Sequence, residues 1–162
     1  MRSKANLYAR KIAETSLSIG AIKLRPDAPF VWASGFRMPI YNDNRMLLGS
    51  YANREMIFQG FWYAVIGENI KFDCVAGTST AGIPHATTFA DMNKKPLTYV
   101  RDKPKDHGLR NQIEGLDAEK NYEGKKVILV EDLISTGGSS ANAVNAIRKA
   151  NGEINYCMCI FN

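Results

Sequence analysis

One stretch constrains the fold of this chain more than any other: Val127-Ile128-Leu129-Val130-Glu131-Asp132-Leu133-Ile134-Ser135-Thr136-Gly137-Gly138-Ser139-Ser140. Val127 to Val130 form a short, wholly aliphatic run, the pattern of a strand buried on both faces. Glu131 and Asp132 sit side by side where that strand should end. A turn of small residues follows, and Ala141, Val144 and Ile147 then recur at helical spacing as far as Ala150. The order strand, acid pair, small loop, helix puts the loop at a strand's carboxyl end, where open parallel sheets bind ligands.

Each residue type in the loop has a use. Gly137 and Gly138 let backbone N–H groups approach an anion closely. Ser135, Thr136 and Ser139 add hydroxyl donors, and the helix that follows directs its positive end at the same spot. Glu131 and Asp132 would repel a phosphate at contact distance, but carboxylates accept hydrogen bonds from hydroxyls. A phosphate cradle with acids beside it describes a sugar phosphate. The nucleotide loops G-x-x-x-x-G-K-[ST] and G-x-G-x-x-G do not occur in strand–helix context. The plainer alternative is a helix-capping turn beside two solvated acids.

The rest of the chain reads as further α/β units. Ala5 to Ile19 has the spacing of an amphipathic helix. Ile22–Leu24 and Phe30–Trp32 are short strands broken by Pro26 and Pro29, with a turn at Ser34-Gly35. Arg37, Tyr41 and Arg45 lie where they could contact a substrate, or serve only the structure. From Ser50 to Asn69, Tyr51, Phe58, Phe61, Trp62, Val65 and Ile66 form a wide apolar stripe that belongs to the core. Phe72 to Gly77 is the first central strand. Thr78-Ser79-Thr80-Ala81-Gly82 and a helix over Ile83–Met92 follow it, a second strand–loop–helix anion site. His85, inside that helix, reads as a satisfied structural histidine. After a strand at Leu97–Val100, Arg101 to Gln112 lacks apolar periodicity and carries Pro104 and Gly108, the marks of a long exposed loop. Asn121 to Lys126 is a polar turn, and Ile154 to Phe161 a last apolar strand. Helices alternating with apolar strands predict an α/β domain with a mainly parallel sheet.

Composition narrows the function. At 162 residues, with 45% hydrophobic and 23% charged content, the chain suits one globular domain. No apolar run approaches a membrane span and no signal-peptide segment opens it, so a cytoplasmic location is expected. Cys74, Cys157 and Cys159 are an odd number in apolar settings, read as core packing and neither a disulfide framework nor a metal site. The net charge of +5 is spread along the chain, with crowding only between Arg101 and Arg110. No aromatic-interleaved basic stripe accompanies it, so a small polyanion is expected and nucleic acid is not.

The central stretch Val130 to Ser139 resembles the phosphoribosyl pyrophosphate (PRPP) motif of type I phosphoribosyltransferases. Tyr99-Val100-Arg101-Asp102-Lys103-Pro104-Lys105-Asp106-His107-Gly108, continuing to Gly115, resembles the catalytic loop of orotate phosphoribosyltransferases. Phe30 to Gly35 with Pro39 to Arg45 is similar to that family's N-terminal part, and Gly77 to Ala86 to its pyrophosphate loop. The four stretches occur in family order. The resemblance implies a type I phosphoribosyltransferase-like α/β fold, with a helix and small hood over about 1–48 and a PRPP-binding core over about 49–162. Family members continue beyond the equivalent of Asn162, so the last part of the core is expected to be missing.

The implied reaction moves the ribose 5-phosphate of PRPP onto orotate, giving orotidine 5'-monophosphate and pyrophosphate. The implied cofactor is Mg2+, held mainly through PRPP and not by direct protein ligands. The implied assembly is a homodimer with shared active sites, the catalytic loop reaching into the neighbour. By the same resemblance, Glu131 and Asp132 take the ribose hydroxyls, with Leu133 and Ile134 in the binding motif. Ser135, Thr136, Gly137, Gly138 and Ser139 take the 5-phosphate, Ser135 also lying near the orotate edge. Thr78, Ser79 and Thr80 take the pyrophosphate, and Arg101, Lys105 and His107 act with Asp132 in catalysis. Ala33 and Ala81 stand where some orotate enzymes carry lysine, and Asp102 where many carry a further base. A less cationic site is therefore expected. The rivals are a purine-base phosphoribosyltransferase and a non-catalytic PRPP-sensing regulator. Trp32-Ala33-Ser34-Gly35 and Lys105-Asp106-His107-Gly108 speak against the first, and the intact basic loop against the second.

Overall fold

The computed structural model describes residues 2–32, 35–103, 112–116 and 121–162. Helix α1 (Arg2–Ser18) leads into two antiparallel ribbons. Strand β1 (Ile22–Leu24) pairs with β4 (Ile40–Asn42), and β2 (Phe30–Val31) with β3 (Arg37–Met38). Gly35, at φ 83°, supplies the left-handed turn of the second ribbon. A 3-10 helix, Asn44–Gly49, then carries the chain to α2 (Tyr51–Gly67).

The core is one five-stranded sheet in the order β7-β6-β5-β8-β9. Its strands are β5 (Cys74–Thr78), β6 (Leu97–Val100), β7 (Ile113–Glu114), β8 (Lys126–Leu133) and β9 (Glu153–Phe161). All pairings are parallel except β6 with β7. Helix α3 (Gly82–Asn93) follows β5, and α4 (Gly138–Lys149) links β8 to β9. Period-2 alternation sorts the central strands into two cores. Val75, Ile128 and Val130 pack with Ile12, Phe58, Phe61 and Phe89 from α1, α2 and α3. Cys74, Ala76, Val127 and Leu129 pack with Ala143, Ala146 and Ile147 of α4. Phe89 anchors the first core, its ring 5.6–6.1 Å from those of Phe72, Phe58 and Phe61.

Several sequence expectations change. Strand β8 does not end at Val130; it runs through both acids because β9 pairs with it as far as Leu133↔Phe161. The first central strand starts at Cys74, with Phe72 lying before it. Asn121 to Lys126 is not purely polar: Tyr122 is buried in the second core, its hydroxyl 2.8 Å from that of Thr98. Of the three cysteines only Cys74 is buried; Cys157 is exposed and Cys159 half-buried, because β9 is an edge strand. The short β7, on the far side of the basic segment, gave no apolar run to read.

Candidate active site

The site forms where β5 and β8 end and α3 and α4 begin. Extending the alternation of β8, Glu131 falls on the α4 side with Leu129, and Asp132 on the α3 side with Val130. Glu131 is buried, 5% exposed, and its Oε1 accepts from the Asp132 backbone N–H at 3.0 Å. Burial pushes its carboxyl well above the usual carboxylate range, to about 7, against the partial relief of a Thr78 hydrogen bond. Asp132 is held by its backbone: buried Asn44 donates Nδ2–H to its carbonyl at 2.7 Å.

A cavity of about 290 Å³ opens above this pair. The loop after β5 lines it with Ser79, Thr80 and Ala81, and the end of β8 with Glu131, Asp132 and Leu133. Ser139 enters from the first turn of α4, and Asn42, Asp43 and Arg45 from the N-terminal ribbon. Neither helix start has a side-chain cap: Ala81 precedes α3 and Gly137, at φ 80°, precedes α4. The first-turn N–H groups are thus left for a ligand anion. The Ser79–Thr80 peptide is cis. Gly82 packs so closely on β8 that an added Cβ would meet the Thr78 hydroxyl and, at 2.5 Å, the Val130 carbonyl oxygen.

The remaining sequence candidates are placed differently. Thr78, 3% exposed, lies beneath the cavity, its hydroxyl 3.4 Å from the Val130 carbonyl. Ile134 donates its N–H to the Phe161 carbonyl at 3.0 Å, closing the sheet's end. Ser135 and Thr136 are exposed in the loop, and Gly137 and Gly138 open α4. Arg101 does not line the cavity: its Nη1 lies 3.8 Å from Glu114 Oε1 on β7. Lys105 and His107 lie outside the described residues, as do Ala33 and Ser34. Around the basic segment, Asn142 of α4 donates to the Asp102 carbonyl at 2.9 Å and accepts from Gln112 at 3.4 Å. Both flanks of that segment are thereby tied to the helix that opens at the phosphate-type loop.

Asn42, Asp43 and Asn44 were not picked out individually from sequence. Their signal was a polar Asn-Asp-Asn run directly before an apolar helix, which capping also explains. Asp43 does cap the 3-10 helix, accepting from the Arg45 N–H, and it grips the Arg45 guanidinium at 2.6 and 3.0 Å. That bidentate hydrogen bonding holds the Asp43 carboxyl below its ordinary pKa. Arg45 is thus already partnered, and the acids Glu131 and Asp132 dominate the wall. Such a wall suits hydroxyls, while anions are left to the two helix starts. Among the described residues no group of three or more His, Cys, Asp and Glu gathers to hold a metal. Two hard carboxylates suit Mg2+ only with oxygens that a ligand brings.

A family model of the phosphoribosyl transferase domain matches residues 49–162. The orotate phosphoribosyltransferase of Cytophaga hutchinsonii is 45% identical over 154 residues, 95% of this chain and 72% of that protein. That of Streptococcus agalactiae is 46% identical over 153 residues, 94% of this chain and 71% of that protein. The chain belongs to the orotate phosphoribosyltransferases. The solved structure of the orotate phosphoribosyltransferase from Aeropyrum pernix agrees, with a TM-score of 0.74 at 32% identity, covering 91% of this chain and 79% of that one. Adenine phosphoribosyltransferase from Saccharomyces cerevisiae shares the fold alone, with a TM-score of 0.70 at 19% identity over 96% of this chain and 88% of that one. In this chain the match to the phosphoribosyl transferase domain begins at Gly49, so the segment Asn42 to Arg45 lies before it.

Proposed function

We propose that the chain transfers ribose 5-phosphate from PRPP to orotate, forming orotidine 5'-monophosphate and pyrophosphate for pyrimidine nucleotide synthesis. The observation that carries this reading is an acid pair set between two uncapped helix N-termini within one cavity. The pair suits a diol and the two helix starts suit an anion at either end of it, the outline of PRPP. Glu131 and Asp132 take the ribose hydroxyls. The segment from Ser135 to Ser139 takes the 5-phosphate, and Ser79 and Thr80 the pyrophosphate, with Thr78 supporting Glu131 from beneath. Substitution at the anomeric carbon passes through an oxocarbenium-like state, so negative charge builds on the departing pyrophosphate. Arg101, Lys105 and His107 meet that charge. Mg2+, bound through PRPP, supplies further charge neutralisation on the leaving group. The protein's own work is to position, to exclude water and to stabilise charge as it develops.

The basic residues act in the site of a second copy, as a homodimer with shared sites. Two observations support this. Arg101 faces Glu114 and not its own cavity, and the N-terminal part exposes Leu17, Leu24, Val31, Phe36 and Met46. The units are the N-terminal helix and hood, about 1–48, and the PRPP core, about 49–162. None of the described helices is long and apolar enough to cross a membrane; the working location is the cytoplasm.

The deciding experiment follows the loss of orotate's ultraviolet absorbance with PRPP and Mg2+, beside adenine and hypoxanthine controls. Loss with orotate alone is expected. Turnover of a purine base would replace the acceptor, and PRPP-dependent stabilisation without any turnover would make the chain a sensor.

A further inference from the structure

Two buried polar side chains near the site are incompletely paired. His85 is not the satisfied core histidine its sequence position implied: it is 4% exposed and its Nε2 has no partner among the described residues. It makes no contact from which a role can be argued. Asn44 makes one. Its neighbours Asn42, Asp43 and Arg45 line the cavity, whereas Asn44 turns inward and is 2% exposed at the start of the 3-10 helix. A buried carboxamide costs free energy unless both its ends are paired. Asn44 pairs one: its Nδ2–H bonds the Asp132 carbonyl at 2.7 Å, while Oδ1 has no partner. Half-paired, the amide brings the fold little net stability, and its single bond runs to the acid wall of the site.

The two ends of that bond differ in how they are held. The helix carrying Asn44 is fixed by Leu47, buried in the first core with Val130 and Met158, and by Arg54 of α2, which donates to the Leu48 carbonyl at 2.6 Å. The end of β8 has less support. Strand β5 pairs with it only as far as Gly77↔Val130, so beyond that point β9 is its one strand neighbour. Glu131 accepts the Asp132 N–H at 3.0 Å and hydrogen-bonds its side chain, but those contacts come from the adjacent residue and move with the strand end. Asn44, 88 residues earlier in the chain, ties that end to the ribbon wall. A neutral amide suits the place. It donates without adding charge, where lysine or arginine would neutralise the acids and a carboxylate would repel them.

We propose that Asn44 is a positioning residue for Asp132: by holding the main chain at the end of β8, it fixes where the Asp132 carboxylate meets a ligand hydroxyl. The ligand class is the vicinal diol of a pentose phosphate, so the inference rests on, and deepens, the reading of the cavity above. Asn44 touches no substrate. It acts by preorganisation: the strand end is held before the ligand arrives, so less freedom is lost on binding.

The test is a double-mutant cycle read by PRPP binding, with Mg2+ present and orotate absent. Asn44→Leu keeps the bulk and loses the donor; Asp132→Asn keeps the main-chain carbonyl and loses the carboxylate. Calorimetric Kd and melting temperature are measured for each, for the double variant and for wild type. Asn44→Leu alone should raise the Kd about tenfold, but less than about twofold where residue 132 is already asparagine. A role that merely supported the fold would weaken binding equally in both backgrounds, so equal effects overturn the proposal, as does an unchanged Kd in the single variant. Should Asn44→Leu fail to fold, Asn44→Ala takes its place in the cycle with the same two readings. If wild type binds PRPP but consumes no orotate, the transferase reading fails by itself and the cycle still decides the role of Asn44. A wild type that binds no PRPP overturns both.

Discussion

Glu131 and His85 are driven from their ordinary ionisation in opposite senses by the same cause, burial away from water. Glu131, raised to about 7, contributes stability that is full below the ordinary carboxylate pKa and is lost as pH rises through about 7. His85, lowered to about 4, contributes stability present above the ordinary imidazole pKa and lost as pH falls from there toward 4. Glu131→Gln should therefore leave acid stability almost unchanged and raise the melting temperature by about 5 °C above pH 8, at the expense of PRPP binding. Melting curves across pH 4 to 9 read this; a gain of equal size at every pH would refute it. Lys105→Ala should cut orotate turnover about a hundredfold while changing the KM for PRPP far less, because charge on pyrophosphate grows only as it leaves. Steady-state kinetics separate the two parameters, and an unchanged kcat would remove Lys105 from the chemistry.

At the scale of elements, the site depends on how closely α3 and α4 approach the ends of β5 and β8. No side chain fits at Gly82, where a Cβ would press on the Val130 carbonyl and the Thr78 hydroxyl. Gly82→Ala should cost about 1–3 kcal/mol in denaturant unfolding and displace Ser79 and Thr80, so activity falls further than stability alone explains. The buried Tyr122 offers a contrast. Tyr122→Phe loses the 2.8 Å contact with Thr98, whose hydroxyl keeps the Val75 carbonyl at 3.4 Å. It should cost about 1 kcal/mol and leave turnover intact, since neither Tyr122 nor Thr98 lines the cavity. Full activity in the alanine variant, or lost activity in the phenylalanine variant, would show that the two elements are wrongly apportioned.

For the whole molecule, the exposed Leu17, Leu24, Val31, Phe36 and Met46, and Arg101 turned to Glu114 and not to its own cavity, lead to one expectation. The chain should sediment as a pair of 18.0 kDa units at micromolar concentration, and a monomer with full activity would rule out shared sites. What the sequence determined by itself was everything carried by local pattern. The Val127 run, the small loops and the helical spacing after them specified both strand–loop–helix units, because strand burial, glycine geometry and helix periodicity act over a few residues. What the tertiary structure alone decided depends on which strands become neighbours. The acids joined β8 because β9 pairs that far. A register shift opposite Val127 and Ile128 sends Ile154 into the second core but Met158 into the first, although simple alternation would put both on one face. The grip of Asn44 on Asp132 and the stranded nitrogen of His85 likewise arise from residues far apart in the chain. Local pattern names the elements that can hold a sugar phosphate; long-range packing chooses which carboxylate is buried and what stands behind it.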